Sequence, residues 1–455
     1  MTKPRNGIRR WFTGDLLNPD RMRADFDRMR GMAAWRYNAH LVAALGWCFL
    51  VSWPITYAET ALIVLSVTYV VRLWDIWRVA RWAYAFPVFI SLVLLTAYQA
   101  LSLAWSAVPS DGHKLLENFR FVMVIPMLWP VIEDRGKLIA ALCAGFAFLP
   151  LTQLATAIGL AYDVPSLVFD NHSPDRNGGW WPLPAAGQVL ALALALHVIP
   201  ALGAGSGRRR VGVMAIAWSL AIATILGIAA SGTRAGWIMG AGVILVGVTL
   251  ATLKAASKAT RRRILLTGLG VIVVGGGIAI ATLGGSVRAR LERMQTEIRE
   301  ASTGGDTNSA DGARYAMIHW SLEAFESRPI FGVGIGGYPS FVRDEGESSF
   351  PGAVRWFNDG RHSHGHNAVL HTLATQGVIG VALSVPVVLS IGIGAWRSAR
   401  RVGFAGYGVG PSLALVGVVL LTPFDAYQVV SRTVCVIFTL VALCPPVAPA
   451  PSRDQ

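Results

Sequence analysis

The sequence predicts an all-α, polytopic membrane protein of about 12 transmembrane helices, with one large and mostly helical loop on the outer side. Three observations carry this expectation. The 455 residues are 53% hydrophobic and only 15% charged, against about a quarter charged in a soluble domain. Apolar runs of about twenty residues recur from end to end, each long enough to cross a bilayer. One long polar stretch, residues 285–365, interrupts them. On a soluble protein the net charge of +14 would suggest nucleic acid. Here the cations collect at the ends of apolar runs, so the expected partners are membrane lipids and not nucleic acid.

The elements follow in chain order. Residues 1–37 carry nine Lys and Arg among scattered apolar side chains such as Trp11, Met22, Phe26 and Met29. This reads as a basic amphipathic segment on the cytoplasmic surface and not as a signal peptide. Residues 38–284 hold spans one to nine, expected at 38–56, 58–73, 86–106, 118–132, 138–161, 184–204, 211–230, 235–253 and 264–284. Residues 285–365 form the large loop, residues 366–446 hold spans ten to twelve (367–395, 405–423 and 430–446), and 447–455 are a cytoplasmic tail. The fourth span is short and the tenth long, which calls for tilt or a break in each. The four cysteines all fall inside apolar runs without metal or disulfide spacing, so they are expected to pack.

Orientation follows from the cations. With the N-terminus inside, cytoplasmic pieces hold 26 of the 40 Lys and Arg, including the triplets Arg208–Arg210 and Arg261–Arg263 in short loops. The outer side holds 14, nine of them in the long loop, which the positive-inside rule does not govern. Both termini are thus expected in the cytoplasm and the loop outside. Only Lys114, Arg120, Arg176, Arg234 and Arg432 remain in short outer connections, where each cation calls for an anionic partner.

Two clusters could carry chemistry. Arg234 lies in Ser231-Gly232-Thr233-Arg234-Ala235-Gly236, a small-residue turn at the start of a helix. A helix N-terminus and a bidentate guanidinium suit a diphosphate, and an arginine snorkelling to headgroups fits equally well. In the loop, a charged helix is expected over 286–301, capped by Ser286, then a mobile link over 302–310. Asp311 is expected to cap a helix running to Ser327 before Pro329, with Tyr315, Ile318, Leu322 and Phe325 as its apolar stripe. Arg314 sits in the first turn, where a cation opposes the helix dipole and a bound anion would relieve it; an arginine exposed to water is the alternative. Gly332-Val333-Gly334-Ile335-Gly336-Gly337-Tyr338 lacks a preceding strand, so it reads as a turn packing the loop on the membrane part and not as a nucleotide site.

The loop ends in His362-Ser363-His364-Gly365-His366-Asn367, holding three of the nine histidines, with His371 close behind. His366 and Asn367 begin the tenth span, which Gly377 and Gly380 would seat in its slot. The helix dipole there favours a neutral imidazole able to take a proton. A capping role is one alternative. Another is a metal held by His362, His364 and His366 on one strand face with Asp359 nearby.

Together these residues resemble the O-antigen ligase/O-antigen polymerase superfamily. The resemblance rests on Arg314 and its helix, the Gly-Val-Gly-Ile-Gly-Gly-Tyr stretch, His366-Asn367 with Gly377 and Gly380, and the Arg234 turn; it covers most of residues 38–446. It implies a membrane glycosyltransferase of the C-type architecture in the bacterial inner membrane, with its site facing the periplasm. It implies a glycan donor on undecaprenyl diphosphate and, for the ligase, a lipid A–core acceptor. Carried onto this chain, Arg234 and Arg314 would bind the diphosphate and His366 would be the base. His364, Asn367, Arg176, Arg120, Tyr338 and Arg432 stand as secondary candidates. No metal and no other cofactor is expected, and one displacement would invert the anomeric carbon. A polymerase or a protein O-oligosaccharyltransferase would use the same donor. A transporter or flippase would instead place ionisable residues at mid-membrane depth, where this sequence has nearly none.

Overall fold

The computed structural model describes residues 19–31, 34–173, 176–203, 208–254, 257–358, 364–402, 409–422 and 431–444. It is 85% helical. In order the helices are α1 (Pro19–Arg30), α2 (Ala34–Leu50), α3 (Ile55–Val71), α4 (Leu73–Tyr84), α5 (Pro87–Leu101), α6 (Pro109–Leu116), α7 (Val124–Leu128), α8 (Arg135–Tyr162), α9 (Leu183–Gly203), α10 (Arg208–Ala230), α11 (Arg234–Lys254), α12 (Lys258–Ser302), α13 (Ala310–Ser327), α14 (Tyr338–Ser349), α15 (Pro351–Asn358), α16 (Ala368–Val402), α17 (Val409–Leu421) and α18 (Ser431–Ala442). One two-stranded antiparallel ribbon, β1 (His172–Ser173) with β2 (Arg176–Asn177), lies between α8 and α9.

Among the described residues, each expected apolar segment overlaps helical backbone. Among the described residues, five helical stretches are long and apolar enough to cross a membrane, or six if α3 and α4, bent by 107°, form one span. The fourth and tenth segments do contain breaks. Residues 117–134 alternate 3₁₀ and α-helix around Pro126 and Pro130, whose missing N–H groups cannot continue an α ladder. The tenth is interrupted at Gly377.

At the centre stands α9. From Ala185 to Val198 every side chain is buried, as befits a helix apolar on all faces. It packs against α10, α11 and α17. The outer helices leave Val67, Val71, Leu94, Leu245, Ile280 and Val388 exposed, an apolar belt suited to lipid.

In the N-terminal region, α1 buries Met22, Phe26 and Met29, spaced to share one helical face, and packs on α4, where Asp25 accepts from Arg81 and the Trp82 indole. Its apolar face is thus covered by protein. Trp11 falls outside the described residues.

The loop departs from expectation at three places. Backbone stays helical through Gly284, Gly285 and Ser286, so span nine and the charged helix are one 45-residue rod. Two glycines cost only about 1 kcal/mol each, and nothing there breaks the ladder. The rod carries the chain about 25 Å past Gly285. Next, the 302–310 link, otherwise largely exposed, buries one side chain, Thr307. Third, Ser309 and not Asp311 caps α13, its hydroxyl accepting from the Gly312 N–H at 3.0 Å. The buried face of α13 is Ala313, Ala316, Met317, Trp320, Ser321 and Ala324, while Ile318 and Leu322 point outward. Three alanines let α13 approach α16 closely, which the larger side chains would prevent.

Candidate active site

Two joints hold the loop on the membrane helices. The first is the glycine stretch. Val333 and Gly334 donate to the carbonyls of Ala374 and Thr375, both at 2.9 Å, and Val378 donates back to Pro329 at 2.9 Å. These groups are available because α16 breaks at Gly377, whose φ of 63° lies in the left-handed region. A Cβ there would lie 2.3 Å from the Ile330 carbonyl oxygen, and one at Gly332 2.3 Å from the Thr375 carbonyl carbon. Gly377 is therefore a designed break and docking point, and not the helix-seating residue that its spacing suggested. The packing-turn reading of the glycine stretch fits this geometry. Ile335 also donates to the Ser102 hydroxyl at 3.1 Å.

The second joint is Asp311. Its Oδ1 accepts from Arg314 Nη1 at 2.9 Å and from Arg234 Nη2. The two guanidinium groups, 80 residues apart in sequence, thus converge on one carboxylate oxygen. Burial alone would raise the Asp311 carboxyl, but the two arginines outweigh it and hold the group below the ordinary carboxylate value. The Asp311 backbone N–H donates to Glu297 on α12 at 3.1 Å. Arg234 keeps one buried nitrogen, Nη1, without a hydrogen-bond partner among the described residues. The anion foreseen for Arg314 is supplied here by the protein. Its i,i+3 spacing to Arg314 was legible, whereas its pairing with Arg234 had no signal in sequence.

Arg234 is placed by its own turn. It opens α11, and Gly236 meets Gly187 on α9 so closely that a Cβ would lie 2.6 Å from the Gly187 carbonyl carbon. Arg176 braces the same turn, donating to the Ser231 and Leu183 carbonyls, both at 3.1 Å, and to the Thr233 hydroxyl at 3.3 Å. Its guanidinium is held by backbone and serves the turn.

The histidines gather at the head of α16. Asn367 caps that helix, its Oδ1 accepting from the Leu370 N–H at 3.0 Å. His366, just before it, has φ 47°, a left-handed conformation uncommon outside glycine. Such strain costs about 1–3 kcal/mol and concentrates at functional sites. The His364 and His366 rings lie 4.3 Å apart between centroids, and His371 stands edge-on to His364 at 6.3 Å. The His366 N–H donates to His364 Nδ1 at 3.3 Å, and the Gly365 N–H to His371 Nδ1 at 3.4 Å. When either ring is neutral, this contact leaves its proton on Nε2. His371 is buried, and the Tyr338 ring packs edge-on to it. His362 and Asp359 lie outside the described residues, and among the described residues no three ligands group to hold a metal.

Tyr338 is fully buried; its hydroxyl donates to the Met317 carbonyl and accepts from Ser321, each at 3.0 Å, and burial raises its pKa. It is a core residue that supports the histidine cluster. Arg120 pairs with Glu59 and lies over the Phe121 ring, and Arg432 reaches the Trp180 carbonyl at 3.4 Å over the Trp181 ring. These contacts engage both away from the Asp311 joint.

One helix relates the clusters. Gly365 lies against Ser321, whose hydroxyl would sit 2.5 Å from a Cβ on that glycine. Ser321 follows Arg314 by seven residues on α13, so the histidine loop meets that helix about two turns beyond Arg314.

A stretch of 170 residues, 37% of the chain, is 28% identical to an uncharacterized protein of Haemophilus influenzae; the chain spans 40% of that relative's length. Residues 219–385, which enclose Arg234, Asp311, Arg314 and His366, match the O-antigen ligase family. The chain carries that family's domain over those residues.

Proposed function

We propose that the protein is an O-antigen ligase, a glycosyltransferase that moves a glycan from undecaprenyl diphosphate to lipid A–core on the periplasmic side of the bacterial inner membrane. The observation that carries this reading is the convergence of Arg234 and Arg314, one from a membrane helix start and one from the loop. Guanidinium forks match diphosphate oxygens, and the unpartnered Arg234 Nη1 offers a contact to one of them.

In the reaction, His366 takes the proton of the acceptor hydroxyl as its oxygen attacks the anomeric carbon. The new C–O bond forms while the bond to the diphosphate oxygen breaks, and the diphosphate leaves with that electron pair. A single displacement inverts the carbon. Base catalysis of this kind contributes about 10²–10⁴-fold, and the arginines stabilise the charge growing on the leaving group. In this reading a sugar–diphosphate unit lies between the base and the clamp, which α13 links through Arg314 and Ser321. In this reading the transfer needs no metal ion.

Purified protein given lipid-linked glycan and rough lipopolysaccharide, in excess chelator, should yield joined product only when both are present. Lengthened lipid-linked chains without lipopolysaccharide would make it a polymerase, and glycosylated protein would make it an O-oligosaccharyltransferase. Movement of donor across vesicles without transfer would identify a flippase. Activity lost to chelation and restored by a divalent ion would remove the metal-free mechanism.

A further inference from the structure

Two guanidinium groups within reach of one oxygen repel each other unless an anion lies between them. In this chain the anion is built in. Asp311 comes from the first turn of α13, three residues before Arg314, so the backbone fixes it beside the clamp. Its side chain is only 12% exposed, and the Glu297 carboxylate stands behind it on the Asp311 N–H. A diphosphate entering here therefore meets negative charge already bound to the groups that must receive it. One nitrogen of the pair, the buried Arg234 Nη1, has no hydrogen-bond partner among the described residues. A first phosphate oxygen can dock there while Arg234 Nη2 and Arg314 still hold Asp311. A change of Asp311 rotamer then frees both forks without unwinding the helix.

We propose that Asp311 is a tethered competitor for the arginine pair: its carboxylate fills the clamp when no donor is bound, yields it to the donor diphosphate, and retakes it after transfer to expel the polyprenyl diphosphate. The inference rests on the diphosphate reading of this site. It adds a residue that lowers donor affinity in return for product release. A carboxylate that merely positioned the arginines would instead raise affinity, so the two roles have opposite signs.

The test uses the full-length protein in nanodiscs, with inorganic pyrophosphate and undecaprenyl diphosphate as probes. Asp311→Asn keeps shape and removes charge. It should bind both probes about tenfold more tightly, the scale of one charge-assisted hydrogen bond. Multiple turnover should slow relative to the first turnover, and product inhibition should deepen. Asp311→Glu should return affinity toward the native value. Asp311→Ser gives the same comparison if the Asn variant does not fold. Equal or weaker probe binding in both uncharged variants, with binding still lost in Arg234→Ala, would overturn the competitor role and leave the clamp standing. Native binding indifferent to Arg234→Ala would overturn the clamp itself and this inference with it.

Discussion

Gly377→Ala tests whether the break in α16 holds the loop in place. The alanine Cβ would sit 2.3 Å from the Ile330 oxygen and 2.4 Å from its carbonyl carbon. Both are backbone atoms in a docked segment, so they cannot swing aside as a flexible side chain would. Alanine also resists the φ of 63° by about 1–2 kcal/mol. Relief requires the loop to lift, which weakens the Val378 to Pro329 and Ile379 to Ile330 hydrogen bonds, each contributing about 0.5–1.5 kcal/mol. The summed cost is roughly 2–5 kcal/mol. Hydrogen exchange followed by mass spectrometry should show faster exchange across 329–334 and at the donor amides of Val378 and Ile379, together with a lower unfolding midpoint and reduced glycan transfer. Gly392→Ala is the control, because nothing lies within 4 Å of its added Cβ; it should be neutral or slightly stabilising. Native exchange at 329–334 in Gly377→Ala would refute the docking argument.

Four further outcomes are expected. His366→Asn, which tolerates a positive φ but is no proton acceptor at neutral pH, should reduce transfer about 10²–10⁴-fold at normal protein abundance; near-native rates would remove His366 as the base. Arg234→Ala and Arg314→Ala should each raise the donor KM about 10–100-fold, measured against an unchanged acceptor KM; a change confined to the acceptor would defeat the clamp. A reporter inserted after Gly305 should be active only outside the cytoplasm, and cytoplasmic activity would reverse the orientation. The Asp311 carboxyl is depressed in the folded state, so its pairing stabilises above the unfolded value of about 3.9 and is lost as pH falls through the folded value. The midpoint difference between native protein and Asp311→Asn should therefore stay level from about pH 5 to 8 and shrink below about pH 4; a difference that shrinks near neutrality would assign the stabilisation to another group.

Periodicity and run length made the helices legible, because a bilayer leaves backbone few alternatives to internal hydrogen bonds. Boundaries failed where a local rule met no competitor. Ser286 looked like a cap after two glycines, yet a helix stops only when something better is offered, and the rod continues to Ser302. The stripe on α13 failed for a different reason. Sequence ranks Ile318 and Leu322 as core by transfer energy, but the neighbour to be packed was α16, and close approach selected Ala313, Ala316 and Ala324.

The site shows the same division. His366 and Arg234 stood out in the sequence because each sits at a helix start, a place that sequence marks with caps and small residues. Arg176 and Tyr338 stood only as secondary candidates without a task, since only tertiary contacts reveal that one braces a turn and the other fills a core. Asp311 was read as a cap, but at that helix start Ser309 takes the role. The serine hydroxyl can cap in place, and that leaves the only charged one of the two for the arginines. A carboxylate shared by two cations gains more from them than a cap could return. The competition at one helix start thus assigns both residues, and the arginine joint between loop and membrane helices follows from it.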